Sequence, residues 1–199
     1  QALALAIDVS GSVDPREFGI QMDGLAAALR DGLVSEALVR AEAAVLVVQW
    51  TGSSRQAVSV NWTRTRTFEE VEALAAKVEA VTRKWRNFST AIGEALEFTL
   101  AQFPLGPDCA RRVIDVSGDG LSNEGVEPTS VHDRLAVENV VVNGLAIEGL
   151  GGDLTAYYFE NVIRGEGAFV MTATGYLDYP ETIRRKLIRE VTRQIASVK

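Results

Sequence analysis

The sequence predicts an α/β fold in which a doubly wound, mostly parallel sheet of six strands has one antiparallel edge strand and carries helices on both faces. Apolar runs of strand length alternate along the chain with segments whose apolar residues recur at helical spacing. This alternation is typical of parallel sheets wrapped on both sides, and the almost continuously apolar run 43–50 suits a strand covered on both faces. With 199 residues, 47% of them hydrophobic, the chain can bury one core. We therefore expect a single domain spanning residues 1–199.

The first part of the chain is predicted to hold a strand, a helix and a hairpin. The first strand ends near Asp8. The segment Asp14-Pro15-Arg16-Glu17 has a capping carboxylate, a proline at the first helical position and a glutamate three residues after the cap, so it predicts a helix start. Residues 30–40 contain Gly32 and several charged side chains and are predicted to form a turn. The runs 43–50 and 56–60 are predicted to pair as a hairpin, which supplies the antiparallel edge.

The remaining elements follow the same alternation. A second capping box, Thr67-Phe68-Glu69-Glu70, predicts the start of another helix. The other strands are predicted at 113–117, 140–147 and 167–171. The other helices are predicted to follow Thr90, to run from Pro128 to Leu135, to begin at the cap Asp153 and end near Ile163, and to run from Asp178 to Ile195.

Composition limits the classes of partner. The formal net charge is −7, with 27 acidic against 20 basic residues, which argues against binding nucleic acid and against docking on anionic membrane. The basic residues around Trp85 are therefore expected to form a solvated loop. No apolar run reaches the roughly 18–20 residues that span a bilayer, so we expect no direct membrane insertion. Because Gln1 is followed almost at once by the first strand, we expect no signal peptide within these residues.

A stretch at the end of the first strand predicts part of a metal site. In Ala4–Ser12 an apolar strand runs into a carboxylate, Asp8, followed by two hydroxyls at alternate positions, Ser10 and Ser12. Mg²⁺ prefers small oxygen ligands in near-octahedral array, and Gly11 allows a turn tight enough to bring the two hydroxyls together. Asp8 would lie at the carboxyl end of its strand, where open α/β sheets bind their ligands.

Two later stretches strengthen this prediction. Phe88–Leu96 offers Thr90 at a helix start, and Val113–Gly120 is a strand that ends in Asp119-Gly120. Together, in this order and at these junctions, the three stretches resemble a von Willebrand factor A-type domain with its metal-ion-dependent adhesion site. The resemblance covers nearly the whole chain and implies a Rossmann-like fold. Within that family the chain resembles most closely stand-alone bacterial members, several of them uncharacterised and exported.

The resemblance implies a site and a role. The metal ligands would be Asp8, Ser10, Ser12, Thr90 and Asp119, holding a divalent cation, Mg²⁺ in preference to Mn²⁺ or Ca²⁺. The cation would bridge to a carboxylate of a protein partner, which makes the chain a binding module and not an enzyme, with an extracytoplasmic location. Ser89 stands where the family usually has glycine and is an alternative oxygen ligand. Thr90 is favoured because the following Ile-Gly-x-Ala-Leu frame aligns on it.

Two other functions remain open from the sequence, a metal-dependent hydrolase and a structural domain whose metal staples the loops. A hydrolytic site would need an acid, base or nucleophile beside the metal. His132 is the only histidine and is expected at the surface, and Cys109, the only cysteine, is expected to be a buried small hydrophobe. Asp115 is expected to be satisfied by neighbouring backbone or hydroxyl groups. Three polar residues beside the metal motifs, Asp14, Asn123 and Glu124, are expected to cap a helix or solvate a loop.

Overall fold

A computed structural model describes residues 1–149 and 152–196. The strands are Ala2–Asp8 (β1), Ala44–Trp50 (β2), Gln56–Arg64 (β3), Arg112–Gly118 (β4), Val140–Ile147 (β5) and Val170–Ala173 (β6). They form one sheet in the order β3-β2-β1-β4-β5-β6. β3 pairs antiparallel with β2, and every other neighbouring pair is parallel. The predicted mixed sheet with one antiparallel edge strand is therefore confirmed.

The helices connect these strands. They are Pro15–Arg30 (α1), Gly32–Arg40 (α2), Phe68–Glu79 (α3), Ile92–Leu100 (α4), His132–Val137 (α5), Leu154–Tyr157 (α6) and Tyr179–Ala196 (α7). The capping box at Asp14 is formed, with both of its hydrogen bonds present. The Thr67 side chain accepts from the Glu70 amide at the start of α3. Within the described ranges, no helix is both long and apolar enough to cross a membrane.

The two faces of β1 explain how the sheet accepts helices on both sides. Side chains alternate along a strand, so Leu3, Leu5 and Ile7 point to one face and the intervening alanines to the other. The large aliphatic side chains pack in a core with α1, α2, α3 and α7. The alanines face a second core that contains Trp50 and residues of α4, α5 and α6. The predicted doubly wound arrangement is confirmed.

Several predicted boundaries differ from the structure. The predicted turn at 30–40 is a helix, α2, because Val34, Ala37 and Leu38 bury one face of it and the Asp31 side chain caps its first amides. β3 extends to Arg64. β6 begins at Val170 and not at 167, and the positive φ values of Gly165 and Gly167 show that the chain is still turning before it. Asp153 makes no side-chain capping bond at α6, which continues as a π-helical turn over Tyr158–Val162.

A buried network of charges occupies the core between the sheet and α7. The prediction that backbone or hydroxyl groups satisfy Asp115 is wrong, because Lys186 Nζ lies 2.6 Å from Asp115 Oδ2. Lys186 Nζ also lies 2.9 Å from Glu190 Oε1. Asn143 Nδ2 donates to both oxygens of Glu190, at 2.8 and 2.9 Å. This network links α7 to β4 and β5.

Candidate metal site

The first loop of the candidate site is folded back on the end of β1. Asp8 is fully buried, and its Oδ1 accepts from the Ser10 amide at 2.7 Å. The loop then brings Ser10 Oγ to 3.2 Å from Ser12 Oγ. The Gly11 amide donates to the Phe88 carbonyl at 2.7 Å, and a Cβ on Gly11 would lie only 3.2 Å from that same oxygen. The close approach of the two backbones explains the glycine between the serines.

The second loop, which leads into α4, presents Thr90. Asn123 ties it to the third loop, which follows β4. The Thr90 amide donates to Asn123 Oδ1 at 2.9 Å, and the Asn123 amide donates to the Thr90 carbonyl at 2.9 Å. Thr90 is buried, and its Oγ1 faces Gly120, where a Cβ would lie 3.4 Å away. Ser89 is exposed, and its carbonyl accepts from Thr51 Oγ1. The hydroxyl that faces the third loop is therefore that of Thr90.

Asp119 joins the loops to each other. Its Oδ1 accepts from Ser12 Oγ at 2.5 Å, and its Oδ2 accepts from the Tyr176 hydroxyl at 2.8 Å. The structure thus brings all the sequence-predicted side chains to one place at the carboxyl ends of β1 and β4. They are Asp8, Ser10, Ser12, Thr90 and Asp119.

The donor atoms of this cluster suit a hard divalent cation. They are two carboxylates and three hydroxyls, and Mg²⁺ and Ca²⁺ prefer oxygen ligands. Asp8 Oδ2 is buried without a hydrogen-bond partner, and a carboxylate left in that state is costly unless a cation or donor offsets it. Burial, followed by the charge of Asp119, raises the pKa of Asp8 to about 7. In the part of the chain that the structure describes, no three His, Cys, Asp or Glu residues are grouped to hold a metal, so the hydroxyls are essential to any site here.

Some residues that support the loops were not found by sequence reasoning. Arg83 was assigned to a solvated loop, but its Nη2 donates to the carbonyls of Val9 and Ser10, at 3.0 and 2.8 Å. Tyr176 lies in no sequence motif that would predict a role in the site. Asn123 was expected only to solvate its loop. Each of these residues contacts a segment that is distant in the sequence. The residues that flank it in the chain therefore do not predict the contact.

The other polar residues near the motifs have structural roles. Asp14 caps α1, as predicted. Glu124 accepts from the Ser53 amide at 3.2 Å and so holds two loops together. His132 was predicted at the surface but is half-buried, and burial lowers its pKa. Cys109, predicted to be buried, is only partly buried.

A groove of about 580 Å³ opens beside Asp119, between the start of α1 and the segment that leads into α7. Its walls include Tyr176 and Leu177, and the Leu177 side chain is 81% exposed. Acidic side chains form much of the remaining wall, including Glu17 and Glu148. The candidate site therefore borders an open groove on this side.

The chain was compared with protein families and with curated proteins. A family model described as "Protein of unknown function (DUF1194)" matches residues 1–195. A comparison with curated proteins found no match.

Solved structures match over almost the whole chain. Proximal thread matrix protein 1 from the mussel byssus is 18% identical, with a TM-score of 0.69, over 96% of this chain and 45% of that protein. A further structure of the mussel protein has a zinc-occupied metal-ion-dependent adhesion site. A von Willebrand factor type A structure from Catenulispora acidiphila is 16% identical, with a TM-score of 0.65, over 96% of this chain and 42% of that one.

A pilus adhesin is also similar. SpaC from Lactobacillus rhamnosus GG is 11% identical, with a TM-score of 0.68, over 96% of this chain and 31% of the adhesin. This chain therefore spans less than half the length of each of these three proteins. The similarities show that its fold is of the von Willebrand factor A type, as the sequence motifs predicted.

Proposed function

The chain belongs to the DUF1194 family, and we propose that it is a protein-interaction module in which a divalent cation, Mg²⁺ by preference, joins the site to a carboxylate of a partner protein. The single observation that carries this proposal is the second carboxylate oxygen of Asp8, which is buried without a hydrogen-bond partner at the end of the strand that leads into the loop of Ser10 and Ser12. We also propose that residues 1–199 act as one domain, since the described strands form one sheet.

The residues that would hold the cation are Asp8, Ser10, Ser12, Thr90 and Asp119. The three hydroxyls are neutral, so with two carboxylates the site adds at most two negative charges around the cation. When bound, the cation supplies a positive centre that accepts an electron pair from an additional carboxylate. The loops position this centre at the mouth of the groove, where the exposed Leu177 offers an apolar contact of the kind found in protein interfaces.

The relatives support the class of function. One is called a pilus adhesin and another a matrix protein of the mussel byssus. A zinc ion occupies the corresponding motif in a structure of the second. These names support binding of a protein partner and an extracytoplasmic location for this chain.

A hydrolase is less well supported by the chemistry beside Asp8 and Asp119. A hydrolytic step needs a group that accepts a proton from the attacking water. The phenols nearest the two carboxylates belong to Tyr158 and Tyr176, and burial, followed by the nearby carboxylates, raises the pKa of both above the ordinary value for tyrosine. At neutral pH these groups are hydrogen-bond donors and not bases.

The test is to titrate sodium acetate into ¹⁵N-labelled protein with and without saturating Mg²⁺, using acetamide as the neutral isostere. We expect acetate to shift the amide resonances of Gly11 and Gly120 saturably only when Mg²⁺ is present, and acetamide to have no effect. Asp23→Ala, which removes an exposed carboxylate from the middle of α1, should behave as wild type. Mg²⁺ binding with no acetate response would mean that the cation only staples the loops, and the proposal would be rejected.

A further inference from the structure

Tyr176 holds one of the two carboxylates of the candidate site. It lies between β6 and α7, directly after Gly175, whose φ of +140° turns the chain towards the site. Its hydroxyl donates to Asp119 Oδ2 at 2.8 Å, while Ser12 donates to Oδ1. Both oxygens of Asp119 therefore have protein donors, which fix the plane of the carboxylate.

Tyr158 lies close to the other carboxylate, that of Asp8. It is fully buried at the start of the π-helical turn. Its hydroxyl and Asp8 Oδ2 are both buried without a hydrogen-bond partner. A Cβ on Gly118 would lie 2.6 Å from the Tyr158 hydroxyl and 2.9 Å from Asp8 Oδ2. The unpaired hydroxyl of Tyr158 and the unpaired oxygen of Asp8 thus both border the space beside Gly118, although no hydrogen bond joins them, and any larger residue at that position would clash with both.

We propose that Tyr158 and Tyr176 are positioning residues of the metal site, with the Tyr158 hydroxyl serving Asp8 and the Tyr176 hydroxyl serving Asp119. This inference rests on the proposed function, because it assumes that the two carboxylates hold a cation. It adds an outer layer to the site that the metal motifs in the sequence do not contain. The two phenols reach the carboxylates from different elements, so each can be removed separately.

Positioning by the phenols has a consequence for the choice of metal. Mg²⁺ requires near-ideal octahedral geometry at about 2.0–2.1 Å, whereas Ca²⁺ accepts longer and more variable ligand distances. Outer-layer hydrogen bonds that orient metal ligands typically account for 10–100-fold in affinity. Loss of either phenol hydroxyl should therefore weaken Mg²⁺ binding more than Ca²⁺ binding, whereas a general loss of structure would weaken both alike.

The experiment is calorimetric titration of Mg²⁺ and Ca²⁺ into metal-free wild type, Tyr158→Phe and Tyr176→Phe. Each phenylalanine removes only the hydroxyl. We expect at least a tenfold loss of Mg²⁺ affinity in each variant and a loss of Ca²⁺ affinity at least three times smaller. Tyr157→Phe is the matched control for Tyr158, and Tyr179→Phe, whose hydroxyl faces Ser117 and Asp115, is the control for Tyr176.

The outcomes separate the two proposals. Wild-type protein that binds neither metal would reject the proposed function itself. If wild type binds Mg²⁺ and a phenylalanine variant keeps the wild-type Mg²⁺ affinity, the positioning role of that tyrosine is wrong. Equal losses for Mg²⁺ and Ca²⁺ would also overturn the role. Denaturant unfolding of the metal-free variants shows whether each is folded, and because positioning is read from the ratio of the two affinities, a modest loss of stability does not mimic it.

Discussion

At the scale of single residues, the two carboxylates of the candidate site differ in their surroundings. Asp8 is fully buried and accepts one backbone hydrogen bond, which leaves its second oxygen free. Asp119 is half-buried, and both of its oxygens accept hydrogen bonds from hydroxyl groups. Loss of Asp8 would remove the one carboxylate oxygen of this pair that no hydrogen bond in the structure satisfies. Asp8 is therefore the more informative of the two positions to mutate.

Thr90 and Ser89 offer a second test at this scale. Thr90→Ala removes the buried hydroxyl that faces Gly120, whereas Ser89→Ala removes an exposed one. We expect Thr90→Ala to weaken Mg²⁺ affinity by tenfold or more and Ser89→Ala by less than threefold, as measured by calorimetry. The opposite order of the two losses would move the third hydroxyl ligand to Ser89.

The candidate ligands that are close together in the sequence could be predicted from it. The tyrosines that approach them from distant segments could not. Asp8, Ser10 and Ser12 lie within five residues, so their spacing alone indicated a shared role. Tyr176 is 57 positions from Asp119 in the chain, and the Tyr158 hydroxyl comes close to Asp8 through its position beside Gly118 of β4. Such contacts depend on tertiary packing, which has no signature in the flanking residues.

At the scale of elements, α7 is attached to the sheet by buried charge as well as by apolar packing. Lys186 lies between two acidic side chains, Asp115 of β4 and Glu190 one turn further along α7. All three side chains are at most 2% exposed. Removing one partner from such a group typically leaves an uncompensated buried charge. The network therefore fixes how α7 lies on β4.

This network predicts a pH dependence of stability. Burial, only partly opposed by the charge of Lys186, raises the pKa of Asp115 from 3.8 to about 6. The folded protein then holds this proton more tightly than the unfolded chain, so the stabilisation is present at low pH and is lost as the pH rises from about 4 to about 6. Relative to Asp115→Asn, the wild-type free energy of unfolding should fall as the pH rises through this range.

Urea unfolding of both proteins at several pH values measures the difference between their free energies of unfolding. This difference should no longer change with pH above about pH 7. Parallel curves for wild type and Asp115→Asn across the whole range would show that the folded state does not perturb this carboxyl group.

The elements also show where sequence patterns were sufficient. The capping boxes at Asp14 and Thr67 predicted two helix starts, because a cap is a local arrangement of side chain and backbone. A turn was predicted at α2, because Gly32 and charged side chains interrupt the apolar positions Val34, Ala37 and Leu38. Those three residues have helical spacing, but a helix of nine residues is stabilised mainly by packing, which the sequence does not display directly.

At the scale of the whole molecule, the strand order determines where the site lies. From β1 the chain crosses to β2 on one side, and the later strands β4, β5 and β6 continue on the other side. The carboxyl ends of β1 and β4 therefore form a switch point, where open α/β sheets typically bind ligands. Asp8 ends β1, and Asp119 directly follows β4. Alternation of strands and helices predicted this architecture, so the position of the site followed from the fold.

The most direct test of the account is calorimetric titration of MgCl₂ into metal-free protein, comparing wild type with Asp8→Ala and with the control Asp23→Ala. We predict saturable binding of one Mg²⁺ in wild type and in Asp23→Ala, and its loss in Asp8→Ala. The far-UV circular dichroism of all three should be alike, because Asp8 is the last residue of β1 and Asp23 is exposed on α1. Wild-type affinity in Asp8→Ala, or no binding to wild type at millimolar Mg²⁺, would contradict the assignment of the metal site.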